Sequence, residues 1–420
     1  MQRESSEPLR ARFRRTKVAA LLALGCGAVG LASALIASER IDSARVPRLA
    51  RAQLAFLGDG LEQRADEMQQ LFPEGRVFTL ALYGAAWVNV GRHARDEAER
   101  ASAQRECQRS LALLEAPASR RVFVPAGGLP NGMFYEAWTH WVRGGCLLLA
   151  PDPDRSGVLF SELVRSCERL AKAVREQGPF VDSYPGQAWP ADSVVGVAGL
   201  GLCAKWLGEG YRSAAADWVT GARPLLDART GLLPHAARSP GARGSSSVLM
   251  SAFLPDVDPI FAREQYALCR RHFSVRLGGI LPSMSEYPDG QDGSSDVDSG
   301  PLVFGVSGPA TVVGIAAARA NGDESEAIAI RSAAEAVGLP FESGGKRRYG
   351  FGLLPIGDAF LAFASVNEPW TTAAVPSPAS GRNDWRWRWR VFCTGLLGLF
   401  ALVAAWLLGA FRVHFRLAQK

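Results

Sequence analysis

Six glycines, Gly75, Gly132, Gly186, Gly244, Gly300 and Gly350, recur along the chain at spacings of 57, 54, 58, 56 and 50 residues. A period of this size signals one supersecondary unit used repeatedly, since no single unit can bury its own apolar face. Each glycine opens an apolar segment of helical length, and amphipathic segments fill the gaps. The unit therefore reads as a helical hairpin. Six such hairpins closing on themselves predict an all-α chain, an (α/α)6 toroid of six helical hairpins with a working cavity at one end.

Two kinds of segment support that reading. Between 156 and 177 the apolar residues Leu159, Leu163, Cys167, Leu170, Ala171 and Val174 form one stripe, while Glu162, Arg165, Arg169, Lys172 and Glu176 take the opposite face, as in an outer helix with one wet side. The stretches 193–207 and 301–318 are apolar almost all round, which suits inner helices packed on every side. By the same test the outer set spans about 47–70, 94–116, 156–177, 210–226, 257–275 and 321–337, and the inner set starts near the six glycines.

The repeat occupies 45–367 and predicts one large domain. Outside it, 18–37 and 391–411 are uncharged apolar runs long enough to span a bilayer. A basic segment, 1–17, precedes the first. Ala32-Ser33-Ala34 also resembles a signal-peptide cleavage site, so the first run reads as a retained span or a cleaved signal. Counting Arg and Lys beside both runs gives nine on the two terminal sides and eight on the toroid sides, which places the toroid outside the cytoplasm in the cell membrane. Within 368–390, a Pro/Ser-rich stretch reads as a flexible tether, followed by Trp385, Trp387 and Trp389 alternating with arginine as an interfacial belt touching lipid.

The net charge of +6 lies partly in these flanks, and only 5 of 47 basic residues are lysine. No motif for reading nucleic acid or holding a cofactor is present. The seven cysteines, Cys26, Cys107, Cys146, Cys167, Cys203, Cys269 and Cys393, are scattered in odd number, which argues against a disulfide framework or zinc site and for buried free thiols. The run Asp289, Asp292, Asp296, Asp298 lacks EF-hand spacing, so no metal is expected there.

Chemistry is expected in the loops that lead into inner helices, because a closed ring brings those loops to one end. Stretches 130–141, 181–193, 235–247 and 285–301 are rich in aromatic, carboxylate and small residues. Helix N-termini there would favour an anion or ionised carboxylate. Candidate acids and bases are Asp192, Glu136, Asp296 and Asp298. Candidate substrate-binding residues are Met133, Tyr135, Trp138, Tyr184, Trp189, His235 and Tyr287. Each has a plainer role available. Asp192 with Ser193, and Asp296, Asp298 and Ser299, could be helix caps; Glu136 could serve first-turn electrostatics; His235 and His140 could be structural.

Ser183-Tyr184-Pro185-Gly186-Gln187-Ala188-Trp189-Pro190-Ala191-Asp192, with Asn131-Gly132-Met133-Phe134-Tyr135 upstream, resembles the bacterial linalool dehydratase/isomerase family, whose catalytic domain is an (α/α)6 barrel. In that family a cysteine pair flanking an aromatic acts with nearby Tyr, Asp, Met and His to protonate and dehydrate a tertiary alcohol. Ser183 and Asp192 stand at the cysteine positions and Trp189 at the aromatic; Met133 matches the methionine, and Ala137 stands where a histidine is expected. The resemblance implies the fold, the site location and an acid at Asp192. Many carbohydrate-active enzymes share such toroids. Three functions follow: an acid-base lyase or isomerase on a small, partly apolar alcohol; a glycoside hydrolase or polysaccharide lyase on an envelope glycan; or a non-catalytic scaffold that binds glycan or protein.

Overall fold

The computed structural model describes residues 7–37, 39, 41–150, 154–239, 241–289, 291–372 and 385–417. They are mostly helical, with few strands. The chain forms two compact units, one of Met1–Arg40, Ser332–Leu339 and Arg382–Lys420, the other of Ile41–Arg331 and Pro340–Gly381.

In the first unit a long N-terminal helix, α1 (Glu7–Ile36), lies along a C-terminal helix of 33 residues, Trp385–Leu417. Small residues let the two approach: Ala20, Ala23 and Ala404 form a cluster, and a Cβ on Gly27 would come within 2.9 Å of the Leu397 side chain. Trp389 Nε1 donates to Ser33 Oγ at 3.0 Å. The stretches Val18–Ile36 and Trp385–Leu407 are each long and apolar enough to cross a membrane. The second helix begins earlier than the apolar run suggests and incorporates the Trp/Arg alternation; Trp385 is fully buried while Trp387 is exposed.

The second unit begins with α2 (Val46–Gly58) and α3 (Leu61–Leu71), the expected 47–70 segment broken where Gly60 takes a left-handed φ of 83°. Then follow α4 (Gly75–Arg92), α5 (Glu97–Glu115), the single turn α6 (Pro117–Arg120), α7 (Gly132–Leu149), α8 (Val158–Gln177), α9 (Pro190–Leu207), α10 (Gly210–Ala222), α11 (Gly244–Phe253), α12 (Pro259–Phe273), α13 (Gly308–Ala320), α14 (Glu324–Val337), which from Ser332 onward belongs to the first unit, and α15 (Pro355–Val366). The C-terminal helix of the first unit is α16. Helices α4, α7 and α9 are buried at nearly every position; α5, α8, α10 and α12 bury one stripe. Helix α4 packs on α7, α7 on α9, α9 on α11, α11 on α13, α13 on α15, and α15 on α4.

Three buried helices open at the repeating glycines: α4, α7 and α11. Here the glycine has a steric reason. A Cβ on Gly132, whose φ is +71°, would lie 2.0 Å from the Ser183 carbonyl oxygen, and one on Gly244 would lie 2.0 Å from that of Ser285. The next loop runs across each helix start and bonds to it, Met133 N–H to Asp182 O at 3.0 Å and Gly244 N–H to Glu286 O at 2.8 Å. The other three buried helices start later, at Pro190, Gly308 and Pro355.

The late start of α13 corrects the expected 301–318 helix. Strands β1 (Ser274–Leu277), β2 (Leu281–Ser285), β3 (Leu302–Val303) and β4 (Val306–Ser307) form an antiparallel sheet in the order β1-β2-β4-β3. Val303 pairs with Val306 across Phe304 and Gly305, both at positive φ (51° and 78°), a two-residue hairpin turn of the kind that matches strand twist. The α13 cap is Ser307, whose Oγ accepts from Ala310 N–H at 3.0 Å. A second hairpin, β5 (Phe341–Ser343) and β6 (Lys346–Arg348), precedes α15.

Two further differences concern cysteine and the tether. Cys107 of α5 and Cys146 of α7 form a disulfide closing a separation of 39 residues, where free thiols were expected. The presumed tether begins docked. Trp370 stacks on Trp141 at 3.9 Å and donates from Nε1 to Asn89 at 2.8 Å, and Asp256 Oδ1 accepts from the Trp370 and Thr371 backbone N–H groups at 2.7 and 2.6 Å. Residues 373–384 lie outside the described residues.

Gly132→Ala should therefore destabilise the protein by more than about 2 kcal/mol, because the new Cβ meets backbone and the φ is left-handed. Gly210→Ala, with nothing within 4 Å of its Cβ, should be neutral. Melting temperatures of the detergent-solubilised variants check this, and equal melting would refute the steric role of Gly132.

Candidate functional site: carboxylates at the helix N-termini

Residues around the N-terminal ends of α4, α9, α11 and α13 converge on one another. Glu74 precedes α4, and the Tyr184 hydroxyl donates to its Oε1. Asp192 sits in the first turn of α9. Neither it nor Ser193 caps that helix: the position before it is Trp189, and Ser193 Oγ instead accepts from Val181 N–H at 3.0 Å. The Asp192 carboxylate is thus free to receive the Ser183 hydroxyl at 2.5 Å, and it is 7% exposed. Burial drives its pKa up from 3.8 to about 7; the Ser183 bond opposes this, and the charges of Asp298 and Glu74 add to the rise.

Asp298 is solvent-accessible at its side chain, yet surrounding protein raises it to about 6, with Asp296, Glu74 and Glu286 adding to the rise and Arg243 opposing it. Asp298 thus stands exposed at the edge of the carboxylate cluster, close enough to Asp192 for each to disfavour the other's charge. Asp296 goes the other way. It pairs with Arg243 Nη1 and accepts from Ser299 N–H at 3.0 Å, and these contacts outweigh burial to hold it at about 2. Neither Asp296, Asp298 nor Ser299 caps α13; Asp296 and Ser299 close a local turn instead.

Arg243, just before α11, joins the group together. Its Nε donates to the fully buried Glu286 at 2.7 Å, its Nη1 donates to His235 Nε2 at 3.3 Å, and its guanidinium lies 5.3 Å over the Tyr287 ring. Its Nη2 is buried and has no hydrogen-bond partner among the described residues. Because arginine only donates, His235 Nε2 is an acceptor, and the ring proton sits on Nδ1 toward Ser246 Oγ. Burial and the Arg243 charge lower His235 to about 4, so it is neutral and its lone pair is engaged. Tyr287 donates its hydroxyl to Ser294 O at 2.8 Å. Trp189 stands edge-on to Tyr184 at 5.8 Å.

The remaining sequence candidates sit elsewhere. Glu136 accepts from Asn131 Nδ2 at 2.9 Å and pairs with Arg169 of α8 at 3.3 Å, an ion pair between a buried and a half-exposed helix. Tyr135 donates to Leu114 O at 2.8 Å. Met133 and Trp138 are fully buried: Met133 fills the space above Gly196, and Trp138 meets Phe78 and Phe253 edge-on at 5.3 and 5.4 Å. These two build the apolar interior. His140 is also buried, deeper along α7, beside Ser166. Sequence reasoning missed Glu74, Arg243 and Glu286; Arg243 stands in the singled-out loop 235–247, but nothing local marks it as the hub.

A hollow of ≈ 670 Å³ runs along α3, lined by Glu62, Gln63, Asp66, Glu67 and Gln70. Arg76 already pairs with Glu62 and Asp66 there, and the hollow's lining includes none of the carboxylate cluster around Asp192. We assign no chemistry to it. No protein-family model matches the chain, and no curated protein matches its sequence.

The raised Asp192 pKa has a stability consequence. In the unfolded chain the group titrates near 3.9, so the folded state binds more protons in between; its contribution is full below about pH 4 and is lost as pH rises through about 7. Asp192→Asn, which can still accept from Ser183, should shrink the drop in melting temperature between about pH 5 and about pH 8. An unchanged drop would mean that Asp192 is ionised throughout.

Proposed function

We propose that the protein is an acid-base enzyme, a hydro-lyase or isomerase acting on a small, partly apolar alcohol, with the six hairpins arranged as an (α/α)6 toroid. The closed succession of helix neighbours from α4 to α15 and back supports the arrangement. The observation that carries the chemistry is Asp192: a nearly buried carboxyl at a helix N-terminus, bonded to a hydroxyl rather than to a cation and poised to hold a proton near neutral pH. Asp192 serves as proton donor, Asp298 at the edge of the cluster as the second acid-base group, and the Arg243 Nη2, unpartnered among the described residues, as a donor to a substrate oxygen. Asp296 stays ionised and positions Arg243. Phe78, Phe134, Trp138 and Phe253 pack ring against ring in the interior; a recess that reached them from the carboxylates would suit a small, partly apolar substrate over a long polymer.

The toroid reads as extracytoplasmic. The Cys107–Cys146 disulfide supports this, since such bonds persist in oxidising compartments. A reporter fused after Lys420 should be active only in the cytoplasm and one inserted near Pro376 only outside; the reverse pattern would put the toroid inside.

The activity is tested on full-length protein in detergent with tertiary allylic alcohols, linalool among them, following dehydration and solvent-deuterium incorporation by NMR. Asp192→Asn should keep the melting temperature at about pH 5 and lose ~10²-fold or more of turnover, with wild-type turnover falling as pH rises above about 7. Loss of activity only in step with lost stability would leave Asp192 a structural residue. Release of reducing sugar from envelope glycans, with no change in any alcohol, would replace the lyase by a glycosidase.

A further inference from the structure

Helices α7, α8 and α9 bring three potential metal donors together in the protein interior. His140, Cys167 and Cys203 are all buried, and their donor atoms lie within 4.8 Å of one another. They are separated by 27 and 36 residues in sequence, and no short motif announces them. We propose that His140, Cys167 and Cys203 form a buried site for one thiophilic metal ion with a filled d shell, zinc being the ion whose charge they match.

Hydrogen bonding around His140 prepares the imidazole for this. Ser166 Oγ donates its single proton to Leu163 O at 2.9 Å and receives Arg143 Nη1–H at 3.1 Å. Its 2.7 Å contact with His140 Nδ1 must then be another received bond, so the ring proton is on Nδ1. The Nε2 lone pair is left facing Cys203 Sγ at 3.4 Å. Fixing the ligand tautomer through the far nitrogen is the usual outer-shell support of a metal-bound histidine. Gly199 completes the arrangement, because a Cβ there would lie 2.5 Å from His140 Cδ2.

The spacing and charge also fit. Zinc bonds of about 2.3 Å to sulfur and about 2.0 Å to nitrogen at a tetrahedral angle separate the two donors by about 3.6 Å, close to the 3.4 Å between His140 Nε2 and Cys203 Sγ. Two thiolates and a neutral imidazole cancel a divalent charge, which removes the electrostatic penalty of burial. Arg143 adds no excess, since it pairs with Glu115 at 2.7 Å. Soft sulfur donors select zinc or copper(I) over the hard cations. Cys107 and Cys146 are joined as a disulfide, whereas Cys167 and Cys203 remain free thiols beside a histidine lone pair.

The test is elemental analysis of the full-length protein, extracted in detergent without chelator from cells supplied with zinc and copper, followed by anaerobic removal of metal and reconstitution with zinc, copper(I) or cobalt(II). One tightly held zinc or copper per chain is expected, and the cobalt form should show thiolate-to-metal charge-transfer absorption. Both should disappear in Cys203→Ser and His140→Gln and survive in Cys269→Ser, which alters a buried cysteine of α12 outside the cluster. Gly199→Ala should weaken metal retention without removing a ligand. Because the wild-type stoichiometry and cobalt spectrum stand without any variant, a misfolded Cys203→Ser does not decide the matter. Substoichiometric zinc and copper after reconstitution would overturn the site, as would a Cys167–Cys203 disulfide in protein alkylated directly in cells.

Discussion

Backbone crossing backbone at the starts of α7 and α11 is the constraint on which the placement of the carboxylate cluster depends. At Gly132 and Gly244 the carbonyl of the following loop occupies the space where any side chain would begin, and an N–H from the helix start is bonded to that loop. A loop held this way cannot drift. Ser183 is itself the residue that crosses Gly132, so the same contact that fixes the loop also fixes the hydroxyl that meets Asp192. At Gly244 the crossing residue is Ser285, and its neighbour Glu286 accepts the Gly244 N–H and receives Arg243. The loops are tied further by Ala237 N–H to Ala188 O at 3.0 Å and by Arg238 Nη1 to Gly186 O at 2.7 Å. Rigid backbone clasps thus set the positions of groups that would otherwise be on mobile loops.

Within that frame, one cation meets two of the nearby carboxylates and holds only Asp296 low, since burial raises Glu286 despite the pairing. Arg243 is within hydrogen-bond reach of Asp296 and Glu286. Asp296 has the cation and a backbone N–H and stays ionised. Among the described residues Asp192 meets a hydroxyl and no cation, and its burial favours the neutral form. Asp298, without a cation bonded to it among the described residues, is raised first by burial and then by the negative charges around it. Environments that push neighbouring carboxyl groups apart in pKa are how a site acquires an acid beside a fixed anion. Moving the cation would reverse the roles without changing a single carboxylate.

How much of this could be read from the sequence follows from the range of the interactions. Helix type was legible, because a stripe or a uniformly apolar segment is a local pattern; α8 and α9 lie within a few residues of their expected bounds. The hairpin of β3 and β4 was hidden, because an apolar run containing Val303, Phe304 and Val306 suits a helix as well as a strand, and only the positive φ at Phe304 and Gly305 separates them. Asp192 was singled out from its place in a helix start, which α9 has; Asp298 was singled out before a helix expected at 301, whereas α13 begins only at Gly308. Glu136 could not be dismissed from sequence, since its partner Arg169 lies 33 residues away on the next helix. The pairing of Cys107 with Cys146, and the meeting of His140, Cys167 and Cys203, are likewise long-range facts that no spacing rule encodes.

The two ends of the buried helices differ in how completely their polar groups are satisfied. Toward the C-terminal ends, Asp256 is as buried as Asp192 but accepts from two backbone N–H groups and the Thr371 hydroxyl, while Trp370 is stacked on Trp141 and bonded to Asn89. Burial still raises Asp256 to about 6, yet its Oδ1 is consumed by the strand of chain that it anchors. At the N-terminal ends, Asp192 is held by one hydroxyl and Arg243 keeps a buried Nη2 unpaired among the described residues. Unsatisfied buried donors are costly and persist where a ligand completes them. A raised pKa alone does not tell the two ends apart; Asp256 spends its oxygen on the segment that it anchors, whereas Asp192 meets a hydroxyl that a bound group could displace, as the proposed chemistry requires.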